Sequence, residues 1–131
     1  MAAKKQAKPD FQPVFAALRD VLASQAAKLT VKNDTPTLFT LLSHSPSPFP
    51  QHKGQPMWFG QVRLGKAYVS VHLMALYFND ELTATISPAL RKRMQGKTCF
   101  NFKAVPEPAL LAELNRLVKA GVQVFSRCKW L

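Results

Sequence analysis

The run Met57-Trp-Phe-Gly-Gln-Val-Arg-Leu-Gly-Lys-Ala-Tyr-Val-Ser-Val-His-Leu-Met-Ala-Leu-Tyr-Phe78 decides the fold. It is rich in Val, Leu, Tyr and Phe, and only Gly65 with its neighbours interrupts it. It therefore reads as two strands, Met57 to Leu64 and Lys66 to Phe78, joined as a hairpin. Successive side chains of a strand point to opposite faces. In the second strand Ala67, Val69, Val71, Leu73 and Ala75 form one apolar face, opposite Tyr68, Ser70, His72, Met74 and Leu76. The Val69 face is assigned to the core. In the first strand the same alternation places Trp58, Gly60, Val62 and Leu64 together, opposite Met57, Phe59, Gln61 and Arg63.

Beyond the hairpin, Asn79-Asp80 ends the strand. Ser87-Pro88 supplies a capping residue with proline at the first helical position, and Gly96 stands where a helix would stop, so a short helix is expected over roughly residues 87 to 95. Thr98-Cys-Phe-Asn-Phe-Lys103 alternates as a strand, with Phe100 and Phe102 opposite Cys99, Asn101 and Lys103. Pro106-Glu107-Pro108 opens a long helix whose stripe is Leu110, Leu111, Leu114, Leu117, Val118 and Phe125.

Towards the N-terminus, Pro46, Pro48, Pro50 and Pro56 make His44 to Pro56 a long loop, because each proline lacks an N–H. Leu38 to Leu42 reads as a strand and Asn33-Asp34-Thr35-Pro36 as a turn. From Asp10, placed to cap, Val14, Phe15, Leu18, Val21, Leu22 and Leu29 recur at helical spacing. Residues 1 to 9 lack apolar periodicity and read as a flexible basic tail before a single domain over 10 to 131. The expected order is α-β-β-β-α-β-α. It implies an α+β fold, with a mostly antiparallel sheet of about four strands and the helices packed on one face.

The length of 131 residues fits one core, and 18 Lys+Arg against 7 Asp+Glu give +11, a balance that attracts anionic partners. Arg19 and Asp20 interrupt the first hydrophobic stretch, so no signal peptide is read, and the run Leu73 to Phe78 is too short to span a membrane. Two cysteines without C-x-x-C spacing fit a reducing, cytoplasmic address. No G-x-x-x-x-G-K, G-x-G-x-x-G or G-x-S-x-G occurs, which removes most nucleotide-cofactor enzymes and nucleophile-elbow hydrolases. No cofactor and no metal site is expected, and the chain reads as a binding protein rather than an enzyme.

The candidate ligand-binding set is Trp58, Gln61, Arg63, Tyr68, Ser70, His72, Cys99 and Asn101. If the polar faces of the strands align, His72 supplies a group that titrates near neutrality, while Arg63 and the amides hold an anionic or polar ligand. Cys99 with His72 and Asn101 also suggests a cysteine nucleophile, although two groups on one strand stand side by side rather than in series. Arg91, Lys92, Arg93, Lys97 and Lys103 form the densest basic cluster and the alternative, weak nucleic-acid binding. His44 and His52 have no ligand spacing with His72. A small anionic ligand or a protein partner fits this inventory, and a homodimer is compatible with it.

The segments Pro56-Met-Trp-Phe-Gly60, Tyr68-Val-Ser-Val-His-Leu-Met74 and Ile86-Ser-Pro-Ala-Leu-Arg-Lys-Arg-Met-Gln-Gly-Lys-Thr-Cys-Phe-Asn-Phe102 resemble the YdhG-like family of small bacterial domains. The resemblance extends from about residue 29 to 126. It implies an α+β domain of frataxin-like fold and, by analogy with some relatives, an iron-chaperone activity. Iron delivery of that type uses a ridge of acidic residues, whereas the first helix here has only Asp10 and Asp20 beside Arg19 and Lys28.

Overall fold

The structure, a computed structural model, describes residues 10–131; the basic tail expected at 1 to 9 lies outside them. Helix α1 spans Gln12–Ala23 and buries Val14, Phe15, Leu18, Val21 and Leu22, the stripe expected from their spacing. Asp10 Oδ1 accepts the Gln12 N–H at 3.0 Å, so this carboxylate satisfies one of the orphan donors of the first turn. Leu29 is buried too, but it follows a separate 3₁₀ turn, Ala26–Lys28.

Six antiparallel strands follow, instead of four: β1 (Thr30–Thr35), β2 (Leu38–Pro46), β3 (Pro56–Leu64), β4 (Val69–Leu73), β5 (Met94–Gln95) and β6 (Cys99–Phe102), in spatial order β1-β2-β3-β4-β6-β5. The α+β class holds, and the order becomes α-β-β-β-β-α-α-α-β-β-α. β1 escaped the sequence reading because it is an edge strand with only Asn33 half-buried, so it has no apolar alternation. Asn33, Asp34 and Thr35, expected in a turn, belong to this strand. The turn lies at Pro36–Thr37, where Thr35 Oγ1 accepts the N–H groups of Thr37 and Leu38 at 3.2 and 3.0 Å. Arg19 ties the edge to α1 through a fork on Asp34 at 2.8 and 2.9 Å.

The hairpin is shorter than expected at its distal end. The turn closes where the Gly65 N–H donates to Tyr68 O at 2.9 Å, and β4 ends at Leu73. Residues expected to continue the strand form helix α2 (Ala75–Phe78), followed by α3 (Asp80–Ala84). Ala75 and Leu76 are adjacent and both buried, which a helical turn allows and a two-residue alternation does not. Helix α4 (Pro88–Arg91) starts as expected, with Ser87 Oγ accepting the Leu90 N–H, but it stops well before residue 95. Met94 and Gln95 pair with β6 instead, and Gly96, at φ +80°, serves the connecting turn rather than a helix end.

The long helix α5 (Pro108–Arg127) buries Leu110, Leu114, Leu117, Val118, Val122 and Phe125, and it packs against α1. Both long helices cover one face of the sheet. Leu22 of α1 approaches Gly60, and Phe125 of α5 meets Phe59 edge-on at 5.1 Å. Val69, Val71 and Leu73 point into this core, at 0, 1 and 3% exposure. Glu113 of α5 accepts the Ser87 N–H and hydroxyl at 2.7 and 2.6 Å, clamping the start of α4 to the long helix.

Strict alternation fails in β3. Leu41 pairs with Gly60 while Leu42 pairs with Trp58, so Phe59 is an extra residue opposite β2. Phe59 and Gly60 consequently both face the helices, and Trp58 turns to the opposite face, away from Val62. On the other side of β2, Val31 pairs with Leu41 and Asn33 with Thr40, which leaves Lys32 as a second extra residue. Two bulges on either side of Leu41, one on each flanking strand, add twist to this end of the sheet.

Candidate functional site

The face of the sheet turned away from the helices assembles most of the predicted set. Cross-strand register puts Gln61 opposite His72, Arg63 opposite Ser70, Ser70 opposite Asn101, and His72 opposite Cys99. Trp58 joins them because of the bulge, its ring centroid 5.9 Å from that of His72. Tyr68 lies at the far end, where it lines a separate cleft of about 380 Å³ with Arg63, Lys66 and Ser70.

The polar groups of this face largely satisfy one another. Ser70 Oγ donates to Asn101 Oδ1 at 3.0 Å, the Cys99 thiol approaches the same oxygen at 3.4 Å, and Asn101 Nδ2 donates to Gln95 Oε1 at 2.6 Å. Gln61 Nε2 donates to the buried Thr40 hydroxyl at 3.0 Å. Half-burial raises the pKa of the Cys99 thiol, opposed by a hydrogen bond with Ser70. Burial also lowers the pKa of His72, and the positive charge of Arg63 on the next strand pushes it the same way. Both shifts favour the neutral forms, thiol and imidazole, which works against a resting thiolate in the Cys99–His72–Asn101 constellation.

A larger concavity begins where Trp58 ends the polar face. About 670 Å³ in volume, it lies between the proline-rich segment, the curled end of the sheet and helix α2. Phe49, Met57, Trp58, Met74, Tyr77 and Phe78 supply apolar walls, while Lys32, Gln51, His52, Gln55 and Thr98 supply the polar groups. The size and the mixture of apolar walls with few polar groups suit a small organic molecule. Among the predicted set only Trp58 touches it.

The walls are braced from behind. Phe49 stacks on Phe78 at 5.8 Å with rings 9° from parallel, Phe78 meets Trp130 at 4.9 Å, and Trp130 in turn meets Phe125 of the core at 5.2 Å. The proline-rich segment is likewise fastened. Ser47 N donates to Gln55 O at 2.8 Å, a 3₁₀ turn spans Pro50–His52, the Ser47 hydroxyl bonds the His52 Nδ1, and Ser45 Oγ donates to the backbone oxygen of Leu131. The expected long loop is thus a folded wall.

Sequence reasoning missed Phe49, Tyr77, Phe78 and Lys32 because their convergence depends on two bulges and a strand-to-helix switch. One signal was present: Gly60, an isolated glycine inside a strand pattern, marks a bulge or a close backbone approach. All five residues of the basic cluster are exposed; the Arg91 guanidinium donates to Thr83 O at 3.0 Å, and Lys97 Nζ lies 3.4 Å from Asp80 Oδ1. Among the described residues no three His, Cys, Asp or Glu side chains gather, and no helix is long and apolar enough to cross a membrane.

No protein-family model, curated protein or solved structure matches this chain.

Proposed function

We propose that this chain is a YdhG-like domain that binds a small ligand without transforming it, at the cavity where the proline-rich segment meets the sheet. The observation that supports this reading is the braced aromatic wall of Phe49, Tyr77 and Phe78, which lines one cavity together with Trp58. Tyr77 is 57% exposed and Phe78 37%, an arrangement that leaves aromatic surface in water unless something covers it. Rings held by packing lose little freedom on binding, so their burial by a ligand is retained as affinity. The polar face beside Trp58 extends the site, with Arg63 and His72, whose side chains are not taken up by the Ser70–Asn101 and Gln61–Thr40 hydrogen bonds, available to an elongated ligand.

Iron carriage, implied by the family resemblance, calls for clustered oxygen ligands, and the carboxylates here are dispersed or engaged, as Asp34 is with Arg19 and Glu113 with Ser87. Nucleic-acid binding would draw on the exposed basic cluster, in which, among the described residues, only Lys97 faces a carboxylate, that of Asp80. The cavity reading is tested by amide NMR spectra of the full chain against a library of small aromatic fragments. Shifts converging on Trp58, Tyr77 and Phe78 are expected. Shifts scattered over the surface, or confined to residues 91 to 103, would remove the cavity from consideration.

A further inference from the structure

We infer that the ligand of this cavity is a small anionic aromatic molecule bearing an acidic group; this rests on the cavity being the binding site. The cavity is chemically asymmetric. Its apolar walls suit a flat hydrocarbon body, and its polar lining contains one lysine, one histidine, two glutamines and a threonine but no carboxylate.

Lys32 is the unpaired residue of the β1 bulge, and among the described residues it enters none of the ion pairs. An ammonium so placed is open to an acidic group on the ligand, whereas a cationic ligand would meet it with nothing of opposite sign in the lining. His52 reinforces the polarity. The Ser47 Oγ accepts the Phe49 N–H at 3.1 Å and pairs with His52 Nδ1, and when the hydroxyl donates to that nitrogen the neutral ring carries its proton on Nε2. Lys32 is thus a cationic donor at the border of a cavity with stacking surfaces in Phe49, Trp58 and Tyr77, and His52 adds a second donor in the Nε2–H tautomer. The overall charge of +11 draws anions to the whole molecule and adds no selectivity for this spot.

Two fluorescent dyes that differ only in a sulfonate separate charge recognition from apolar burial: 8-anilinonaphthalene-1-sulfonate and N-phenyl-1-naphthylamine. The full chain should bind the sulfonate about fivefold more tightly than the neutral dye, the size expected of an exposed ion pair. Lys32→Gln should bring the two within about twofold. Lys66→Gln, in the cleft at the far end of the sheet, should leave the difference intact. Equal affinities, or a preference that survives Lys32→Gln, would overturn the anionic assignment. Tyr77→Ala decides the underlying reading separately, since this exposed side chain can be truncated with little risk to the fold. If it weakens both dyes, the cavity remains the binding site whatever the charge result; if it changes neither, the cavity is not the site and the assignment falls with it.

Discussion

Phe59 and Gly60 are neighbours in the chain, yet both face the helices, because the bulge in β3 inserts Phe59 between the pairs Leu41–Gly60 and Leu42–Trp58. Phe59 fills the core against Phe125, and Gly60 lets β3 approach β4. A Cβ at Gly60 would lie 2.9 Å from the His72 backbone oxygen and 3.3 Å from Leu22 Cδ2. Backbone of a paired strand cannot swing aside as a flexible side chain would. Gly60→Ala is therefore expected to cost ~1–3 kcal/mol, as overpacking does, and to lower Tm by at least about 4 °C in a thermal melt. An unchanged melt would show that the strand can shift and that the bulge is not sterically locked.

Val71 and His72 test which face of the sheet is the inside. Val71 is 1% exposed among the helices, whereas His72 is half-buried on the other face beside Trp58. Val71→Ala should cost ~1–3 kcal/mol through lost burial and a residual cavity. His72→Ala should cost less than about 1 kcal/mol, and Val71→Asp should unfold the domain by burying an unpaired charge. Urea melts of the two alanine variants make the comparison, and a larger loss for His72→Ala would invert the assignment.

The two long helices, the Val69 face, the Phe100–Phe102 face and the Ser87 cap were legible because each follows from one local rule. Periodicity marks which residues are buried only while the period holds. It holds in α1, α5, β4 and β6. It fails in β3, where one extra residue turns Trp58 outward, and after Leu73, where a uniformly apolar run bends into a helix. The polar face could be read from alternation within each strand and was brought together by register. The cavity could not, since Phe49, Trp58 and Tyr77 come from three segments whose meeting depends on those two departures.

Cys99 and Cys128 should differ in reactivity. Cys99 is half-buried, its sulfur 3.4 Å from Asn101 Oδ1, and burial raises its pKa, so it remains a thiol at neutral pH. Cys128 is exposed at the end of α5. Iodoacetamide at pH 7 should label Cys128 in the native chain at least about tenfold faster than Cys99, since the thiolate is the reacting form. Mass spectrometry of the peptides reads the ratio. Preferential labelling of Cys99 would revive the nucleophile that the electrostatics argue against.

The pH dependence of stability should carry the signature of His72. Its pKa is lowered in the folded state, first by burial and then by the Arg63 charge across the β3–β4 pair. Between the folded value and the ordinary histidine value near 6.5, the unfolded chain holds the extra proton, so unfolding takes up a proton and stability rises with pH. As pH falls through that window the folded state loses ground, and below the folded value the full penalty is present. His72→Gln removes the titration, so its stability should decline less than that of the parent between pH 7 and pH 5. Arg63→Gln removes the second cause and should raise the His72 pKa seen in ring NMR titrations, narrowing the window without abolishing it, because burial remains. Urea melts at several pH values supply the slopes. The same slope in His72→Gln as in the parent would show that the acid sensitivity arises elsewhere, and an unmoved His72 titration in Arg63→Gln would show that burial alone holds the ring neutral.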